Sequence, residues 1–319
     1  MPNMDIYYRP DIESAVDPLR AIDAVEQSLL AYSRGLVTVP PVGHLSFSDP
    51  PGETHIKYGY RRGDPYFVIK VASGFYENPK RGLSSSSGLM MLFDASSGFP
   101  SALLMDDGYL TDLRTAAAGA VAAKYLAPGN VEAIGIVGAG IQAHLQLDLL
   151  RHVTACRQVF IWARDATKAA AFRVDGFAVE AVPSLEVLAS RCNLLVTTTP
   201  ARSPLVWNDA VQPGTHITAV GADSPGKQEL DAKLLARADV LAVDARAQCL
   251  EYGDSSHAVR TGLVPSEKLV ELGEIIANPT LGRTTARQVT VADLTGLAAQ
   301  DLEIAKLALH ALRAASNLK

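Results

Sequence analysis

The sequence predicts an α/β protein that combines a doubly wound parallel sheet with a discontinuous α+β domain. From residue 133 to residue 292, apolar strand-like segments alternate with helical segments, which is typical of βαβ units and a parallel sheet. Residues 37–105 instead consist of strands and turns, with little helix to cover them. We therefore expect one domain over residues 114–292 and a second built from residues 1–113 and 293–319.

The discontinuous domain begins with an extended segment and an amphipathic helix over residues 18–33, whose apolar residues recur on one face. Residues 37–44 contain two prolines and a glycine, and they are expected to form a loop after this helix. Four strands follow, with a turn at residues 94–98 that favours an antiparallel sheet. These strands are expected at residues 54–60, 66–72, 88–93 and 100–105. The terminal helix, residues 297–316, could cover the sheet.

A glycine-rich turn marks the start of the parallel sheet. Residues 133–137 predict a buried strand and residues 141–150 a helix. Between them, Gly138, Gly140 and Ala143 give the spacing G-x-G-x-x-A, which permits a tight turn and lets the backbone approach a pyrophosphate. Free N–H groups at the start of the helix favour phosphates. The segment predicts a Rossmann-type dinucleotide site. A helix is expected before it at residues 110–126, and further strands at residues 158–162, 194–198, 216–220, 240–243 and 288–292.

Composition and charge limit the class of protein. The 319 residues are 48% hydrophobic and 20% charged, and the net charge of −5 argues against nucleic acid or an acidic membrane surface as a partner. No apolar run reaches the length of a membrane span, and the N-terminus lacks the pattern of a signal peptide. Three cysteines suit a reduced, cytoplasmic protein. No group of histidines, cysteines and acids has metal-ligand spacing, so no metal site is predicted.

Two cationic residues are candidates for binding a substrate carboxylate. Lys70 stands inside the apolar strand at residues 66–72, where a lysine is rare without a partner. A lysine on an edge strand that faces solvent is the alternative. Arg114 lies near the start of the alanine-rich helix, where it could hold a carboxylate or reach cofactor phosphates. A salt bridge to Asp112 or to another acid would also explain it.

Asp223 is the candidate for proton transfer. It lies in the loop after the strand at residues 216–220, and ligands of open α/β sheets bind beyond such strand ends. A carboxylate beside Lys227 could relay a proton there. Alternatively, Asp223 could cap backbone N–H groups near Gly226. Cofactor choice depends on Arg164, which suits NADP, with Asp165 beside it, and the sequence leaves that choice open.

Taken together, these segments resemble the ornithine cyclodeaminase/μ-crystallin family over nearly the whole chain. The resemblance rests on residues 69–79, 110–117, 138–143 and 220–229, and on residues 296–298 with Asp301. It implies a dimer-forming substrate domain and a nicotinamide-binding Rossmann domain, with NAD(H) favoured and NADP(H) not excluded. It also implies that Lys70 and Arg114 hold the substrate carboxylate and that Asp223 acts on the proton at the amine or imine. The residues expected at the cofactor are Ser85, Arg114, Thr115, Gly138, Gly140, Ile141, Gln142, Arg164, Thr198, Thr199, Gly221 and Asp223.

One departure from the family pattern bears on the substrate. Many members carry an arginine after the prolines that match residues 40–41, whereas this chain has Val42, Gly43 and His44. With residues 292–296, this feature resembles the branch that holds iminosuccinate reductases and the cyclodeaminase-like proteins of ectoine utilisation. We expect a homodimeric reductase of a small 2-imino acid. The leading candidate is iminosuccinate, reduced to L-aspartate, with His44 and Lys57 at its second carboxylate. A cyclodeaminase that uses catalytic NAD⁺ and a μ-crystallin-like ligand-binding protein are the alternatives.

Overall fold

The structure, a computed structural model, describes residues 4–75 and 77–316. Tyr76, which belongs to the motif at residues 69–79, and the termini at residues 1–3 and 317–319 lie outside the described residues. The chain divides into two compact units. One contains residues up to Arg114 together with those from Leu297 onwards, and the other is Thr115–Gly296.

The two units are built from strands and helices in the following chain order. The strands are β1 (Asp5–Tyr8), β2 (Val37–Thr38), β3 (Gly43–Ser48), β4 (Pro51–Arg61), β5 (Tyr66–Phe75), β6 (Ser86–Asp94), β7 (Pro100–Met105), β8 (Ile134–Val137), β9 (Gln158–Trp162), β10 (Ala178–Ala181), β11 (Leu194–Thr197), β12 (Arg202–Val206), β13 (His216–Ala219), β14 (Gln228–Leu230), β15 (Val240–Val243), β16 (Leu269–Glu271) and β17 (Thr290–Asp293). The α-helices are α1 (Arg9–Ala15), α2 (Pro18–Ser33), α3 (Tyr109–Leu126), α4 (Ile141–Leu150), α5 (Ala166–Ala171), α6 (Leu185–Arg191), α7 (Ala232–Arg237), α8 (Arg246–Glu251), α9 (Asp254–Arg260), α10 (Leu272–Ala277) and α11 (Ala298–Ser316).

The first unit is built on a sheet with the strand order β1-β7-β6-β5-β4-β2, and β3 also pairs with β4. β1 runs parallel to β7, whereas the other pairs are antiparallel. The turn predicted between β6 and β7 is confirmed, since Asp94 Oδ1 accepts from the N–H groups of Ser96 and Ser97 at 3.0 and 2.8 Å. Helix α11 lies against β4, β5 and β6 and buries Leu302 and Leu309. It therefore covers one face of this sheet.

Two segments of the first unit differ from the sequence prediction. The loop expected over residues 37–44 is wrong at both ends, because β2 at Val37–Thr38 and β3, which includes His44, both pair with β4. His44 lies opposite His55 of β4. The hairpin partner supplies the backbone hydrogen bonds that make this segment a strand. Helix α1 is present where only an extended segment is expected. Pro10 lies in its first turn, where proline is tolerated, and the side chain of Ile12 is fully buried.

The second unit contains a parallel sheet with the strand order β10-β9-β8-β11-β13-β17-β15-β16. The predicted doubly wound fold is confirmed, since β9 and β10 extend the sheet on one side of β8, whereas β11 and the strands after it extend the sheet on the opposite side of β8. In register, Thr197 pairs with both Val137 and Ala219. The segments that follow these three strands therefore begin at the same edge, and the reversal of strand order at β8 and β11 is where such sheets bind ligands.

The described helices include none that is both long enough and apolar enough to cross a lipid bilayer.

Candidate functional site

The glycine-rich turn has the geometry that a dinucleotide pyrophosphate needs. Gly138 follows β8 with a φ of +115°, and a Cβ there would lie 2.5 Å from Thr198 Oγ1. A Cβ on Gly140 would meet no atom of the described residues within 4 Å, so there is open space beside its backbone. Helix α4 begins at Ile141, and Gly140 supplies no side-chain cap for its first N–H groups. These donors are therefore suited to phosphate oxygens.

A buried carboxylate organises the neighbouring strand ends. Glu229 accepts hydrogen bonds from Thr197 Oγ1 at 2.7 Å, the Thr199 N–H at 2.6 Å and the Gly221 N–H at 2.8 Å. A Cβ on Gly221 would lie 2.1 Å from the Thr199 carbonyl oxygen, so the two segments are too close for any side chain at this position. Thr198, which lies between Thr197 and Thr199 in the sequence, donates its Oγ1 hydrogen to the Val137 carbonyl at 3.1 Å. Glu229 therefore fixes the loops that carry four of the expected cofactor contacts, Thr198, Thr199, Gly221 and Asp223.

Asp223 lies in the loop after β13, beside Lys227. Its Oδ1 accepts from Lys227 Nζ at 2.7 Å and from Ser224 Oγ at 3.1 Å. The Asp223 side chain is 51% exposed, whereas that of Lys227 is 9% exposed. This is the carboxylate–lysine pair that the sequence suggests for a proton relay.

Three more of the residues expected at the cofactor lie on helix α4 and in the first half of helix α3. Ile141, at the start of α4, is 54% exposed. Gln146 Nε2 donates to the Thr115 carbonyl at 3.3 Å and lies 3.5 Å from Gln142 Oε1. Gln146 therefore connects Thr115 and Gln142 in the second unit.

Arg164 and Asp165 follow β9, where a Rossmann fold distinguishes NAD from NADP. Asp165 caps helix α5, since its Oδ1 accepts from the Thr167 and Lys168 N–H groups at 3.0 and 3.3 Å. Arg164 is exposed beside it. The cap engages one carboxylate oxygen of Asp165, and the exposed guanidinium of Arg164 is accessible to the 2′-phosphate of NADP(H), so this segment does not exclude that cofactor.

Ser85 belongs to the first unit, where it is exposed immediately before β6. Its carbonyl accepts from the Phe75 N–H at 2.8 Å.

Lys70 lies in the interior of the first unit on β5, between β4 and β6, and is only 1% exposed. Its Nζ donates to Asp301 Oδ1 on α11 at 2.9 Å. Arg114 Nε lies 3.1 Å from the same oxygen, and Arg114 Nη1 donates to Gln300 Oε1 at 3.2 Å. The burial of Lys70 excludes the alternative that it faces solvent on an edge strand. Arg114 does lie beside an acid, and that acid is Asp301. We call Lys57, Lys70, Arg114 and Asp301 the cationic cluster.

Lys57 joins the cationic cluster through the register of the sheet. It lies directly opposite Lys70 in the pairing of β4 with β5 and is 7% exposed. Residues paired in this way project from the same face. Two lysines and an arginine are thus buried around one carboxylate.

The charges of the cationic cluster perturb one another. Burial, Arg114 and Lys57 lower the pKa of Lys70 to about 7, against the opposing effect of Asp301. Burial alone would raise the pKa of Asp301, but the surrounding cations outweigh it, and its pKa is lowered. Asp301 is therefore held as a carboxylate, whereas Lys70 is easily deprotonated.

A second acid and several unpartnered atoms surround the cationic cluster. Burial raises the pKa of Asp106 to about 6, although Lys70 and hydrogen bonds such as that from the Leu110 N–H oppose the shift. Within the described residues, Asp106 Oδ1, Gln300 Nε2 and Asp301 Oδ2 are buried without a hydrogen-bond partner. Buried polar atoms normally have a hydrogen-bond partner, so these three atoms are suited to bind a polar ligand or water.

His44 lies on β3, with a side chain that is 34% exposed, and its Nε2 is 3.6 Å from Glu53 Oε2. Its partner His55 precedes Lys57 by two residues on β4, so His44 and Lys57 project from the same face of the sheet. No role for Glu53 or His55 follows from the sequence.

Two further residues have roles that the sequence analysis misses, although both stand in its motifs. Asp301 holds Lys70 and Arg114, and Glu229 holds the loops around Thr198 and Gly221. An isolated carboxylate in a helix or after a loop gives no signal of its own. The signal that could have identified them as candidates is their position, with Glu229 at the end of the motif at residues 220–229 and Asp301 just after residues 296–298.

Relatives of known sequence span the whole chain. An uncharacterized cyclodeaminase of Sinorhizobium fredii is 41% identical over 316 residues, covering 97% of this chain and 96% of its own. The alanine dehydrogenase of Archaeoglobus fulgidus is 38% identical over 307 residues, covering 95% and 93%. The iminosuccinate reductase of Paracoccus denitrificans is 34% identical over 307 residues, covering 93% and 92%.

Solved structures share the fold over the same length. An archaeal alanine dehydrogenase dimer with bound NAD has a TM-score of 0.91 at 35% identity, with 98% and 97% of the two chains covered. The Δ1-pyrroline-2-carboxylate reductase of Thermococcus litoralis, bound to NADH and L-proline, has a TM-score of 0.92 at 29% identity, with 98% of each covered. The iminosuccinate reductase of Paracoccus denitrificans with NAD⁺ has a TM-score of 0.88 at 32% identity, with 98% and 97% covered.

The model of one protein family matches residues 3–315 of this chain. The match covers the parallel sheet, the glycine-rich turn and the buried Lys70–Arg114 pair. This chain belongs to the ornithine cyclodeaminase/mu-crystallin family.

Proposed function

We propose that this protein is an NAD(H)-dependent reductase that converts a small 2-imino acid to the corresponding L-amino acid. Iminosuccinate, which yields L-aspartate, is the leading substrate. The observation that carries the proposal is the cationic cluster, in which Lys57, Lys70 and Arg114 are all buried. Relatives with this fold include reductases of a cyclic imine and of iminosuccinate.

The cationic cluster places three basic side chains around one acid. Lys57, Lys70 and Arg114 are all buried, and all three act on the Asp301 carboxylate. A nearby anion stabilises buried basic side chains, so the cluster is suited to a substrate carboxylate. A protonated imino acid with one carboxylate has no net charge, whereas protonated iminosuccinate has a net charge of −1. A basic site of this kind therefore favours a dicarboxylate.

The cofactor is NAD(H), which three solved relatives carry in one oxidation state or the other. The residues of this chain fit it, because Gly138 makes the tight turn and Gly140 leaves its backbone open beside uncapped N–H groups of α4. Thr198, Thr199 and Gly221 lie at the same strand edge. When bound, NADH supplies the hydride that reduces the imine carbon.

The residues of the chain then have distinct tasks. Lys70 and Arg114 hold the α-carboxylate of the substrate, which orients the imine carbon. Asp223 keeps the imine nitrogen protonated, since an iminium ion accepts hydride more readily than a neutral imine. Lys227, 2.7 Å from Asp223 Oδ1, stabilises the carboxylate once the proton has left. Addition of hydride to the iminium carbon gives the neutral amine, which takes up one proton to become the amino acid.

Lys57 and His44 are proposed to bind the second carboxylate. Both project from the face of the sheet that carries Lys70, and Lys57 lies directly opposite it. This chain lacks the arginine that many family members carry after the prolines that match residues 40–41. Its absence is consistent with a carboxylate site that uses His44 and Lys57 instead.

We further propose a homodimer in the cytoplasm. The first unit exposes large apolar side chains that a partner subunit would cover, and one solved relative is a dimer. These side chains are Ile6, Tyr8, Leu45, Phe47, Tyr58 and Tyr60. The cysteines are free thiols, as expected in a reducing compartment where NADH is available.

The second candidate function is cyclodeamination, which the similarity to the Sinorhizobium fredii protein favours. In that reaction NAD⁺ is catalytic, ammonia leaves and the redox state of the cofactor is unchanged overall. A ligand-binding protein of μ-crystallin type is a third candidate, against which the Asp223–Lys227 pair argues.

The test is a screen of NADH and NADPH oxidation with oxaloacetate, pyruvate and other 2-oxo acids, each with ammonia. We expect oxidation that requires ammonia, prefers NADH and is fastest with oxaloacetate. Ammonia release from L-ornithine with catalytic NAD⁺ and no net NADH oxidation would support the cyclodeaminase. Binding of NADH without turnover of any substrate would support the ligand-binding protein.

A further inference from the structure

A cluster of two histidines and a glutamate lies on the β3–β4 hairpin, outside the cationic cluster. It contains His44, Glu53 and His55, whose ligand atoms all lie within 4.8 Å of one another. We propose that these three residues bind a divalent transition-metal ion, of which Zn²⁺ is the best fit. No role in hydride transfer is assigned to the ion.

The register of the hairpin brings the three side chains together. His44 on β3 lies directly opposite His55 on β4, and Glu53 precedes His55 by two residues. All three therefore project from the same face of the sheet. Because two hydrogen-bonded strands fix the Cα positions, little ordering would be needed to bind an ion.

The distances suit a small ion with nitrogen and oxygen ligands. Glu53 Oε2 lies 3.6 Å from His44 Nε2 and 3.5 Å from His55 Nε2. Ligands about 2.1 Å from a tetrahedral Zn²⁺ are roughly 3.4 Å apart, so the two separations are close to those of a zinc site. The His44 and His55 rings have centroids 4.8 Å apart, and Ser46 Oγ lies 3.5 Å from His44 Nε2.

The composition of the cluster is also typical of such sites. Two imidazoles and one carboxylate are the protein ligands of several open zinc centres, where water or another ligand takes the fourth position. The Glu53 carboxylate would offset part of the charge of the ion. Lys57, two residues beyond His55 on the same face, opposes binding through its charge. Because the chain supplies three ligands, the ion would keep a fourth position for water or for a carboxylate oxygen. With the ion bound, the second carboxylate of the substrate would reach the ion rather than His44 itself.

Spacing in the sequence could not indicate this site. His44 and His55 are eleven positions apart and come from different strands, so only the hairpin pairing places them together. Spacing in the sequence alone predicts no metal site, whereas the site proposed here arises from the pairing of two strands.

The test is metal binding by the full chain after chelation and desalting, without substrate or nucleotide. Zn²⁺ is titrated by calorimetry, and Co²⁺ by its visible absorption. We expect one ion per chain, with cobalt bands typical of tetrahedral or five-coordinate nitrogen and oxygen ligation. His55→Ala and Glu53→Gln should each weaken binding at least tenfold, whereas the exposed His152→Ala, far along the chain in the second unit, should bind as the parent does.

Several results would overturn the proposal. The first is parent protein that binds no ion, or binds only with the weak affinity of scattered surface groups. The second is affinity that is unchanged in both His55→Ala and Glu53→Gln while circular dichroism shows that the variants are folded. Should one variant fail to fold, the other decides. Since neither substrate nor NADH is present, the outcome is independent of the proposed reductase activity.

Discussion

Replacing Lys70 by methionine tests whether the cationic cluster binds the substrate. Lys70→Met removes the charge and keeps the length of the side chain, so it creates little cavity in a site that is 1% exposed. Removing one partner of a buried, hydrogen-bonded charge pair costs about 2–5 kcal/mol. At about 1.4 kcal/mol per factor of ten, kcat/KM should fall by roughly 30- to 5000-fold.

The same substitution should affect the folded state much less. Asp301 loses the contact at 2.9 Å but keeps Arg114 Nε at 3.1 Å. The substitution also removes the buried ammonium and, with it, the free-energy cost of desolvating that charge, which is the largest cause that lowers the pKa of Lys70 to about 7. We therefore expect the free energy of unfolding to change by less than about 2 kcal/mol. The affinity for NADH should change by less than about twofold, since Lys70 belongs to the first unit and the glycine-rich turn to the second.

The assay follows NADH absorbance with oxaloacetate and ammonia, and the dissociation constant of NADH is measured by fluorescence. Lys306→Met is the matched control, because Lys306 is also a largely buried lysine of the first unit and pairs with Glu303 at 3.0 Å, outside the cationic cluster. Its kcat/KM should stay within about threefold of the parent. A folded Lys70→Met protein that retains more than a tenth of the parental kcat/KM would refute the reasoning.

Three further predictions concern the cofactor, the proton and the charge of Lys70. Gly140→Ala should leave the free energy of unfolding unchanged, because a Cβ there meets no described atom within 4 Å. It should nevertheless weaken NADH binding at least about tenfold, because the methyl group would occupy the space of the pyrophosphate. Gly129→Ala, whose Cβ also meets no described atom, is the control and should change neither stability nor NADH binding. Asp223→Asn should lower kcat by about 10²-fold or more and leave the dissociation constant of NADH nearly unchanged, because asparagine keeps the size and an acceptor oxygen of the side chain. A variant with near-parental kcat would exclude Asp223 as the proton donor. The inhibition constant of succinate should rise as the pH increases above about 7, because Lys70 with its lowered pKa of about 7 is a cation below that pH and neutral above it. That dependence should be absent in Lys70→Met, and a flat profile in the parent would show that Lys70 does not bind the carboxylate.

Features that depend on a short stretch of chain could be predicted from the sequence. The spacing of Gly138 and Gly140 predicts the turn between β8 and α4, and the structure has α4 at Ile141–Leu150 as expected. The amphipathic pattern likewise predicts α2 at Pro18–Ser33. Lys70 is a candidate because a lysine in an apolar strand is unusual, and its burial follows from that position between β4 and β6.

Features that depend on distant pairing could not be predicted. Asp301 is 231 positions from Lys70, and only the packing of α11 on the sheet brings the two together. The strand at His44 depends on β4 as a partner, since the prolines before it suggest a loop when the segment is considered alone. Glu229 acquires its role because the ends of β11 and β13 meet in a parallel sheet.

The most direct measurement is a crystal structure of the protein with NAD⁺ and L-aspartate bound. We expect the α-carboxylate to lie within hydrogen-bond distance of Lys70 Nζ and the Arg114 guanidinium, with the amino nitrogen beside Asp223. A carboxylate bound away from both cations, with Lys70 and Arg114 contacting only Asp301, would contradict the proposed roles of these residues.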